Sequence, residues 1–266
     1  MIYALVVIYN KTCEESKTLQ SIKGFHGKYS IIIFDNSTRY YNNKEYAMRY
    51  NYLYFSFGKN LGLSKAYNYV INYIPKSIND YLLILDDDTE LTDEYLTQVI
   101  QQTKLFPLNH IWIPIVKSNT AIISPCNLRL ECIAEIIHDI NELDYSRITA
   151  INSGMVIRSD VFYTIKYNEK LFLDCVDHDF MRQVRLQKLS IGLLNCNIIQ
   201  SYSRDDTPQL AKAIFRFKIY RRDLKEYCIS TGHGYLYYFR IFKFVGKYSF
   251  MYKSFKFIKV LITDGV

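Results

Sequence analysis

Short apolar runs alternate with segments of helical periodicity through the first half of the chain. The apolar runs predict strands at residues 2–8, 30–34, 52–57, 81–85 and 111–116. Between them, apolar positions at helical spacing predict helices near residues 13–22, 62–74 and 92–104. This β-α-β-β-α-β-α order predicts an α/β fold with a doubly wound, mostly parallel sheet flanked by helices.

The second half of the chain is less regular. Residues 150–158 resemble a strand interrupted by Gly154, where a ligand or another backbone segment can approach closely. Residues 177–187 have the spacing of a helix, and residues 191–199 form a further apolar run. Beyond Pro208 the pattern becomes helical, basic and aromatic.

The positive charge is concentrated in this last part. The whole chain carries +7, but residues 211–266 hold 12 Lys and Arg against 3 Asp and Glu, which gives +9 there and −2 for the remainder. We therefore expect an α/β domain over residues 1–207 and a helical extension over residues 208–266. A nucleic-acid-binding protein is also basic and aromatic, but a charge confined to the extension disfavours that class.

The extension has two open interpretations. At about 100° per residue, Arg240, Lys243 and Lys247 fall within about 60° of one helical face. Such a face, with aromatic residues interleaved, can bind an anionic membrane surface. It can equally belong to helices that pack on the α/β domain or on a second copy in a homodimer. The interleaved aromatic residues are Tyr237, Phe239, Phe242 and Phe244.

The cysteines and the apolar runs indicate a cytoplasmic protein. The six cysteines include no CxxC pair, so we expect reduced thiols and neither a disulfide framework nor a zinc site. The N-terminus continues directly into the first strand, and no stretch of about 18 uncharged apolar residues occurs. The expected location is the cytoplasm, with peripheral attachment to the inner face of the cell membrane as an option.

Three consecutive aspartates, Asp86, Asp87 and Asp88, follow the apolar run 82–85. Adjacent carboxylates at the end of a buried strand repel one another and resist desolvation. A divalent cation such as Mg²⁺ or Mn²⁺ removes that cost and keeps positions open for phosphate oxygens. The alternative is an acidic turn before a helix, where the helix dipole favours carboxylates.

Polar clusters also follow two other predicted strands. Tyr9 and Asn10 come after the first strand, and residues 35–37 (Asp-Asn-Ser) come after the second. Ligands of doubly wound sheets bind outside the carboxyl ends of the strands. We therefore expect these clusters and the aspartate triplet to meet on one rim.

Five blocks of sequence, in this order, resemble the inverting, metal-dependent glycosyltransferases of family 2, which have the GT-A fold. The resemblance covers roughly residues 2–205, and the aspartate triplet is similar to the family's DxD motif. The last two blocks look most like bacterial rhamnosyltransferases and galactofuranosyltransferases. The blocks are residues 4–10, 32–37, 60–68, 86–88, and 153–158 with 172–182.

The resemblance implies roles for residues that hold the donor nucleotide. Asp35 would accept a hydrogen bond from a uracil or thymine base, although Asp-Asn-Ser is also a good turn sequence. The backbone around Tyr9 would hold the nucleotide as well. Asn60 and Gly62 would lie near the sugar and the phosphates at the start of a helix, whose amides attract anions.

The same resemblance implies a metal site. Asp86 and Asp88 match the two aspartates of DxD, with Asp88 the more direct ligand of Mn²⁺ or Mg²⁺. Asp87 occupies the variable middle position, near the nucleotide or facing solvent. Many relatives place a histidine after the late strand, where it completes the metal shell, and this chain has none there. The metal would then rely on carboxylates, diphosphate and water, with help from Arg204 or Asp205.

Asp177 is the expected catalytic base, because it matches the aspartate that precedes the acceptor-side helix of the family. Asp174 and Asp179 are close rivals. Each of the three can instead cap the helix or pair with Arg182 or Arg185.

The resemblance implies transfer of a sugar from a UDP- or dTDP-activated donor, with inversion, to a polysaccharide or lipid-linked saccharide acceptor. The expected pathway is cell-surface polysaccharide biosynthesis. One alternative is a sugar-phosphate nucleotidyltransferase, although that class usually carries a Gly-rich basic loop after the first strand. Another is a catalytically inactive binding protein with a GT-A-like fold. The absence of GxGxxG disfavours a dehydrogenase.

Overall fold

The computed structural model describes residues 1–25, 27–117, 122–200 and 209–263. The strands are β1 (Ile2–Ile8), β2 (Ser30–Asp35), β3 (Leu53–Ser56), β4 (Tyr81–Asp86), β5 (Thr89–Glu90), β6 (Ile111–Lys117), β7 (Ile122–Arg129), β8 (Ile133–Ile137), β9 (Ile148–Thr149), β10 (Met155–Arg158) and β11 (Ile191–Gln200). The helices are α1 (Lys17–Ile22), α2 (Asn43–Arg49), α3 (Leu63–Tyr73), α4 (Asp93–Leu105), α5 (Val176–Leu186), α6 (Leu210–Ser230), α7 (Gly234–Met251) and α8 (Lys256–Thr263).

The central sheet has the strand order β3-β2-β1-β4-β10-β6-β11-β5. β1 pairs in parallel with β2 and with β4, β2 pairs in parallel with β3, and β6 pairs in parallel with β11. Each strand predicted in the first half is present, with its ends within one residue of the prediction. The predicted α/β fold with a mostly parallel sheet and flanking helices is confirmed.

The sheet departs from the predicted pattern in three places. β10 runs antiparallel between β4 and β6, with Met155 opposite Ile84. β7 leaves β6 in antiparallel pairing and carries β8 and β9. The short helix α2 lies in the connection from β2 to β3, where no helix was predicted. Apolar periodicity identifies a strand, but it does not specify the direction in which that strand pairs.

The two faces of the sheet bury alternate residues of each strand. In β1, Leu5 and Val7 point into the core beneath α3 and α5, while Val6 and Ile8 point into the core beneath α1 and α4. This two-residue alternation is the geometry of a pleated strand with both faces covered. It explains why the strands read as continuous apolar runs in the sequence.

The helices α6, α7 and α8 belong to the same core as the sheet. Phe217, Leu224, Leu236 and Phe257 are buried in the cluster that also contains Ile84 of β4. Packing on the α/β domain, one of the two interpretations of the extension, therefore describes its inward side. The predicted domain boundary at 207 lies outside the described residues.

The prediction that Arg240, Lys243 and Lys247 form one basic face of α7 is partly wrong. Arg240 points inward and donates a hydrogen bond to the backbone carbonyl of Cys132, whereas Lys243 and Lys247 are exposed. The ring of Phe244 stacks on Phe217, with ring centroids 5.0 Å apart. Among the described residues, no helix combines the length and apolar character needed to cross a membrane.

Candidate active site

A cleft of about 1150 Å³ opens at the carboxyl ends of β1 and β4. Its walls come from the end of β1, the turn after β4, the start of α3, the start of α5 and the first turns of α6. The lining residues are Val7, Tyr9, Asn36, Asn60, Gly62, Leu63, Tyr67, Asp86, Asp87, Asp88, Ile151, Asn152, Ser153, Phe172, Leu173, Val176, Asp177, Ala211, Lys212, Phe215, Arg216 and Ile219. The convergence of strand ends expected from the sequence therefore holds for Tyr9, Asn36 and the aspartate triplet.

The aspartate turn is held in place by hydroxyl groups from distant parts of the chain. Ser16 Oγ donates to the carbonyl of Asp87 over 2.8 Å, and the amide of Asp86 donates to Ser153 Oγ over 3.2 Å. Thr18 Oγ1 accepts from the amide of Thr89 over 3.1 Å. These contacts fix the backbone, so that the carboxylates are presented by a rigid turn and not by a mobile loop.

Asp88 is the aspartate of this turn whose surroundings best suit a bound cation. Its Oδ1 atom is buried and has no hydrogen-bond partner among the described residues. A buried carboxylate oxygen without a partner is costly, and a divalent cation satisfies it. Asp86 lines the same cleft two residues earlier. Among the described residues there is no group of three or more His, Cys, Asp and Glu side chains arranged for a metal.

Asp87 does not face solvent, so the expectation that its side chain could be solvent-exposed is wrong. Its Oδ1 atom accepts a hydrogen bond from Lys11 Nζ over 2.9 Å, and the side chain is only 16% exposed. Burial raises the pKa of the Asp87 carboxyl, and the ammonium group of Lys11 opposes that rise. This pair places the charge of Lys11 next to the aspartate turn.

Asp35 lies behind the wall of the cleft. The residue is 3% exposed, and its Oδ2 atom accepts hydrogen bonds from Asn43 Nδ2 over 2.8 Å and from Tyr54 Oη over 2.9 Å. Oδ1 accepts from the amide of Ser37. The structure thus gives this carboxylate protein partners and presents the neighbouring Asn36 to the cleft. The hydrogen bond from a uracil or thymine base to Asp35 stays a prediction. It is disfavoured because Asn43, Tyr54 and Ser37 already donate to this carboxylate.

Asn60 and Gly62 both line the cleft at the start of α3. Asn60 Oδ1 accepts from the amide of Gly62 over 2.9 Å, and Asn36 Nδ2 donates to the carbonyl of Gly62 over 3.2 Å. Gly62 has φ +82°, and a Cβ atom there would lie 2.6 Å from the Phe172 ring. The conformation and the close approach both require glycine. The two residues shape the cleft where the resemblance placed the phosphates.

Asp177 is the one of the three rival aspartates that lines the cleft. It lies in the first turn of α5, where its Oδ1 atom accepts from the amide of His178 over 2.8 Å. The imidazole Nδ1 of His178 lies 3.9 Å from the same oxygen and 2.8 Å from Thr149 Oγ1. The residue before α5, Cys175, has a left-handed φ of +62°, which turns the chain into the helix.

The other two aspartates do not line the cleft, and each has a side-chain partner in the protein. Asp174 makes a two-pronged ion pair with the guanidinium of Arg216 on α6. Asp179 is buried and accepts from Gln183 Nε2 over 3.0 Å. Burial raises the pKa of both carboxyls. Arg182 moderates the rise at Asp179 and does not line the cleft.

Arg185 pairs with Glu131 and donates to the carbonyl of Ile148, so the predicted pairing of Arg185 with an aspartate of this segment is wrong.

Gly154 supports the site from behind. Its amide donates to the carbonyl of Ile84 over 2.7 Å, and its carbonyl accepts from Tyr95 Oη over 2.6 Å. The close backbone approach expected at Gly154 is therefore made by protein. Arg204 and Asp205 lie outside the described residues.

The contribution of α6 to the cleft was missed in the sequence. Lys212, Phe215 and Arg216 all line it. A carboxylate from the same helix, Asp223, is fully buried and accepts from the amides of Leu173 and Asp174 over 2.7 and 2.9 Å. The helix therefore holds the segment that leads to α5. The concentration of charge beyond residue 211 was the available signal, but it did not indicate which way the side chains point.

The family comparison agrees with the geometry. Residues 3–121 match the model of the family described as "Glycosyl transferase family 2". The dTDP-rhamnosyl transferase RfbF of Shigella flexneri is 24% identical over 198 residues, which are 73% of this chain and 64% of that protein. The chain thus spans less than two thirds of the length of this relative.

Solved structures show the same fold. GalNAc-T7 with UDP, GalNAc and Mn²⁺ superposes with a TM-score of 0.56 at 12% identity, over 87% of this chain and 54% of that chain. Glucosyl-3-phosphoglycerate synthase from Mycobacterium tuberculosis, in complex with Mn²⁺, UDP and phosphoglyceric acid, gives 0.56 at 10% identity, over 86% and 78%. The resemblance to family 2 and the GT-A fold are confirmed.

Proposed function

We propose that this chain, whose residues 3–121 match the model of glycosyl transferase family 2, transfers a sugar from a nucleotide donor to a hydroxyl of a saccharide, with inversion. The observation that carries the proposal is one cleft that contains both Asp177 and the aspartate turn with the unpartnered Oδ1 of Asp88. One carboxylate suits proton transfer, and the other suits a cation that binds diphosphate.

Asp86 and Asp88 would hold the divalent cation, Mn²⁺ or Mg²⁺. Bound there, it would supply positive charge to the departing diphosphate as a Lewis acid. The support is the orphaned oxygen of Asp88, together with the Mn²⁺ present in both structural neighbours. Lys212 on α6 adds a second positive charge to the same cleft.

Asp177 would act on the acceptor. Its carboxylate takes the proton of the acceptor hydroxyl while the hydroxyl oxygen attacks the anomeric carbon from the face opposite the diphosphate. A single displacement of this kind inverts the anomeric configuration, as in inverting glycosidases that use water.

The donor is proposed to be linked to dTDP or UDP. The 24% identical relative is a dTDP-rhamnosyl transferase, and the structural neighbours bind UDP. The acceptor is proposed to be a growing polysaccharide or a lipid-linked saccharide of the cell surface, reached from the cytoplasm. These choices come from the relatives and from the resemblance in the sequence.

The test of Asp177 is the isosteric variant D177N. Loss of a general base should reduce turnover by roughly 10²–10⁴-fold, while the affinity for donor nucleotide stays unchanged. Sugar transfer and nucleotide binding by calorimetry are measured for the same preparation. The matched control is D179N on the same helix, whose side chain lies outside the cleft lining. Full activity of D177N with loss in D179N would reverse the assignment.

The same calorimetry separates the alternatives. Binding of UDP or dTDP, compared with GDP, is measured with Mn²⁺, with Mg²⁺ and with a chelator. A nucleotidyltransferase would instead release pyrophosphate from a nucleoside triphosphate and a sugar phosphate. An inactive binding protein would bind a donor in the presence of metal without turnover. Absence of metal-dependent binding to any sugar nucleotide would reject the proposed function.

A further inference from the structure

The outward side of α7 exposes an unusual number of large aromatic side chains. Five of them, which we call the α7 outer face, are between 60% and 88% exposed. Soluble proteins rarely leave this much contiguous apolar surface uncovered without an interaction partner. The α7 outer face consists of Tyr235, Tyr238, Phe239, Phe242 and Phe250.

Helix geometry places these five residues on one side. At about 100° per residue they fall within an arc of about 120°. The opposite side carries Tyr237, Phe244 and Tyr248, which pack against the core of the protein. The exposure of the α7 outer face therefore follows from the packing of the helix and does not come from a frayed end.

The charged residues of α7 are all positive. Lys243 and Lys247 are exposed along the edge of the α7 outer face, and α7 contains no Asp or Glu. The neighbouring helix α8 also contains no acidic residue and exposes Lys256, Lys259 and Ile262, and the residue just before it, Phe255, is exposed as well.

We propose that the α7 outer face binds the surface of an anionic lipid bilayer. Aromatic rings favour the headgroup region, where one part of the ring is apolar and the edge is wet. Lysines beside them are attracted to anionic headgroups. A second copy of the chain fits less well, since a twofold contact through this face would bring lysines close to lysines with no carboxylate on either α7.

The position of the face adds a consequence that rests on the proposed function. α6 contributes Lys212 and Phe215 to the cleft, and its Phe217 stacks on Phe244 of α7. The same helical unit therefore borders the cleft and carries the lipid-facing aromatics. An acceptor anchored in the bilayer would be held near Asp177.

The test is cosedimentation of the full chain with vesicles, without any sugar nucleotide, so that the result does not depend on the proposed function. Vesicles contain either phosphatidylcholine alone or phosphatidylcholine with phosphatidylglycerol. One variant, F239S/F242S, removes aromatic rings, and another, K243Q/K247Q, removes charge. Matched controls are L105S/L108S, which changes two exposed apolar residues elsewhere, and K44Q/K65Q.

The wild type should bind the phosphatidylglycerol vesicles, more weakly at high salt and on phosphatidylcholine alone. K243Q/K247Q should bind about 25-fold more weakly, since each of its two lysines contributes about fivefold near an anionic surface. F239S/F242S should bind at least about tenfold more weakly, because two aromatic rings are lost from the headgroup region. The controls should bind like the wild type, and circular dichroism should show every variant folded. Wild-type binding by both α7 variants, or no binding by the wild type, overturns the proposal. So does a lipid-free dimer that F239S/F242S dissociates, because the face would then be a protein interface.

Discussion

The role that a single residue can have in this protein depends on its hydrogen-bond and ion-pair partners more than on its residue type. Asp174 and Asp179 are close rivals of Asp177 in the sequence, yet Asp174 is paired with Arg216 and Asp179 is buried beside Gln183. Only Asp177 of these three lines the cleft. Asp35 shows the same effect, because Asn43 and Tyr54 occupy the carboxylate that the resemblance assigned to a base.

His110, which does not line the cleft, should make the folding stability of the protein depend on pH. His110 Nδ1 accepts a hydrogen bond from the amide of Ser190 over 3.2 Å, which requires that nitrogen to be unprotonated. Burial lowers the pKa of His110, and Arg158 lowers it further. The unfolded chain therefore binds the proton more tightly than the folded protein. The resulting stability is complete above the ordinary pKa of about 6.5 and is lost as the pH falls through that value toward the lowered folded pKa.

We expect H110N to remove this part of the pH dependence, since Asn Oδ1 can accept from the amide of Ser190 and does not titrate. Urea unfolding midpoints at neutral and mildly acid pH measure the effect. H138N, which changes an exposed histidine, is the matched control. If H110N loses as much stability as the wild type on acidification, another group is responsible.

At the scale of elements, the shape of the cleft depends on the contacts that fix the N-termini of α3 and α5. The entry to α3 has Gly62 against Phe172, whose carbonyl also accepts from the amide of Leu63 over 2.7 Å. The entry to α5 is held by Asp223 of α6 through two backbone amides. Helices far apart in the sequence therefore set the position of Asp177.

Gly62→Ala should be strongly destabilising. A Cβ atom at this position would lie 2.6 Å from the Phe172 ring and 2.7 Å from its carbonyl, in a residue with φ +82°. With ψ 172° as well, this backbone region is essentially restricted to glycine and costs another residue about 1–3 kcal/mol, and the overpacking costs about 1–3 kcal/mol more. The free energy of unfolding in urea and the affinity for donor nucleotide should both fall.

Gly58→Ala is the control for backbone strain alone, because Gly58 has φ +63° with no atom within 4 Å of the added Cβ. The difference between the two variants isolates the contact with Phe172. Equal losses in both would mean that this contact does not limit the substitution.

For the whole molecule, the helical extension is part of the fold as well as a surface. Its inward side shares a core with β4 and α5, and its first turns line the cleft. Its outward side carries the exposed aromatics and lysines of α7. Packing on the α/β domain therefore describes the inward side, and the proposed membrane contact concerns the outward side.

A chain that ends at Ser230 should lose its cooperative unfolding transition. It would lack five buried side chains, each contributing about 1.5–3 kcal/mol, a total comparable with the roughly 5–15 kcal/mol that stabilises a typical domain. Thermal unfolding followed by circular dichroism measures this. The five side chains are Leu236, Ile241, Val245, Phe257 and Val260.

A chain that ends at Ser254 is the graded control, because it loses only Phe257 and Val260 from that set and should be destabilised less. An unchanged transition in the chain ending at Ser230 would show that the extension folds apart from the sheet. The expected loss is also why point variants, and not truncations, test the α7 outer face.

The strands of the first half, the fold class and the place of the aspartate triplet after β4 were predictable from the sequence, because they depend on periodicity and on neighbours along the chain. The antiparallel direction of β10, the fact that only Asp177 of the three rival aspartates lines the cleft, and the inward turn of Arg240 became visible only in the folded protein. The tertiary structure also brings Lys212 to the cleft and buries Asp35. Each of these features depends on contacts with residues or elements that are distant in the sequence. Such contacts cannot be inferred from a local sequence pattern.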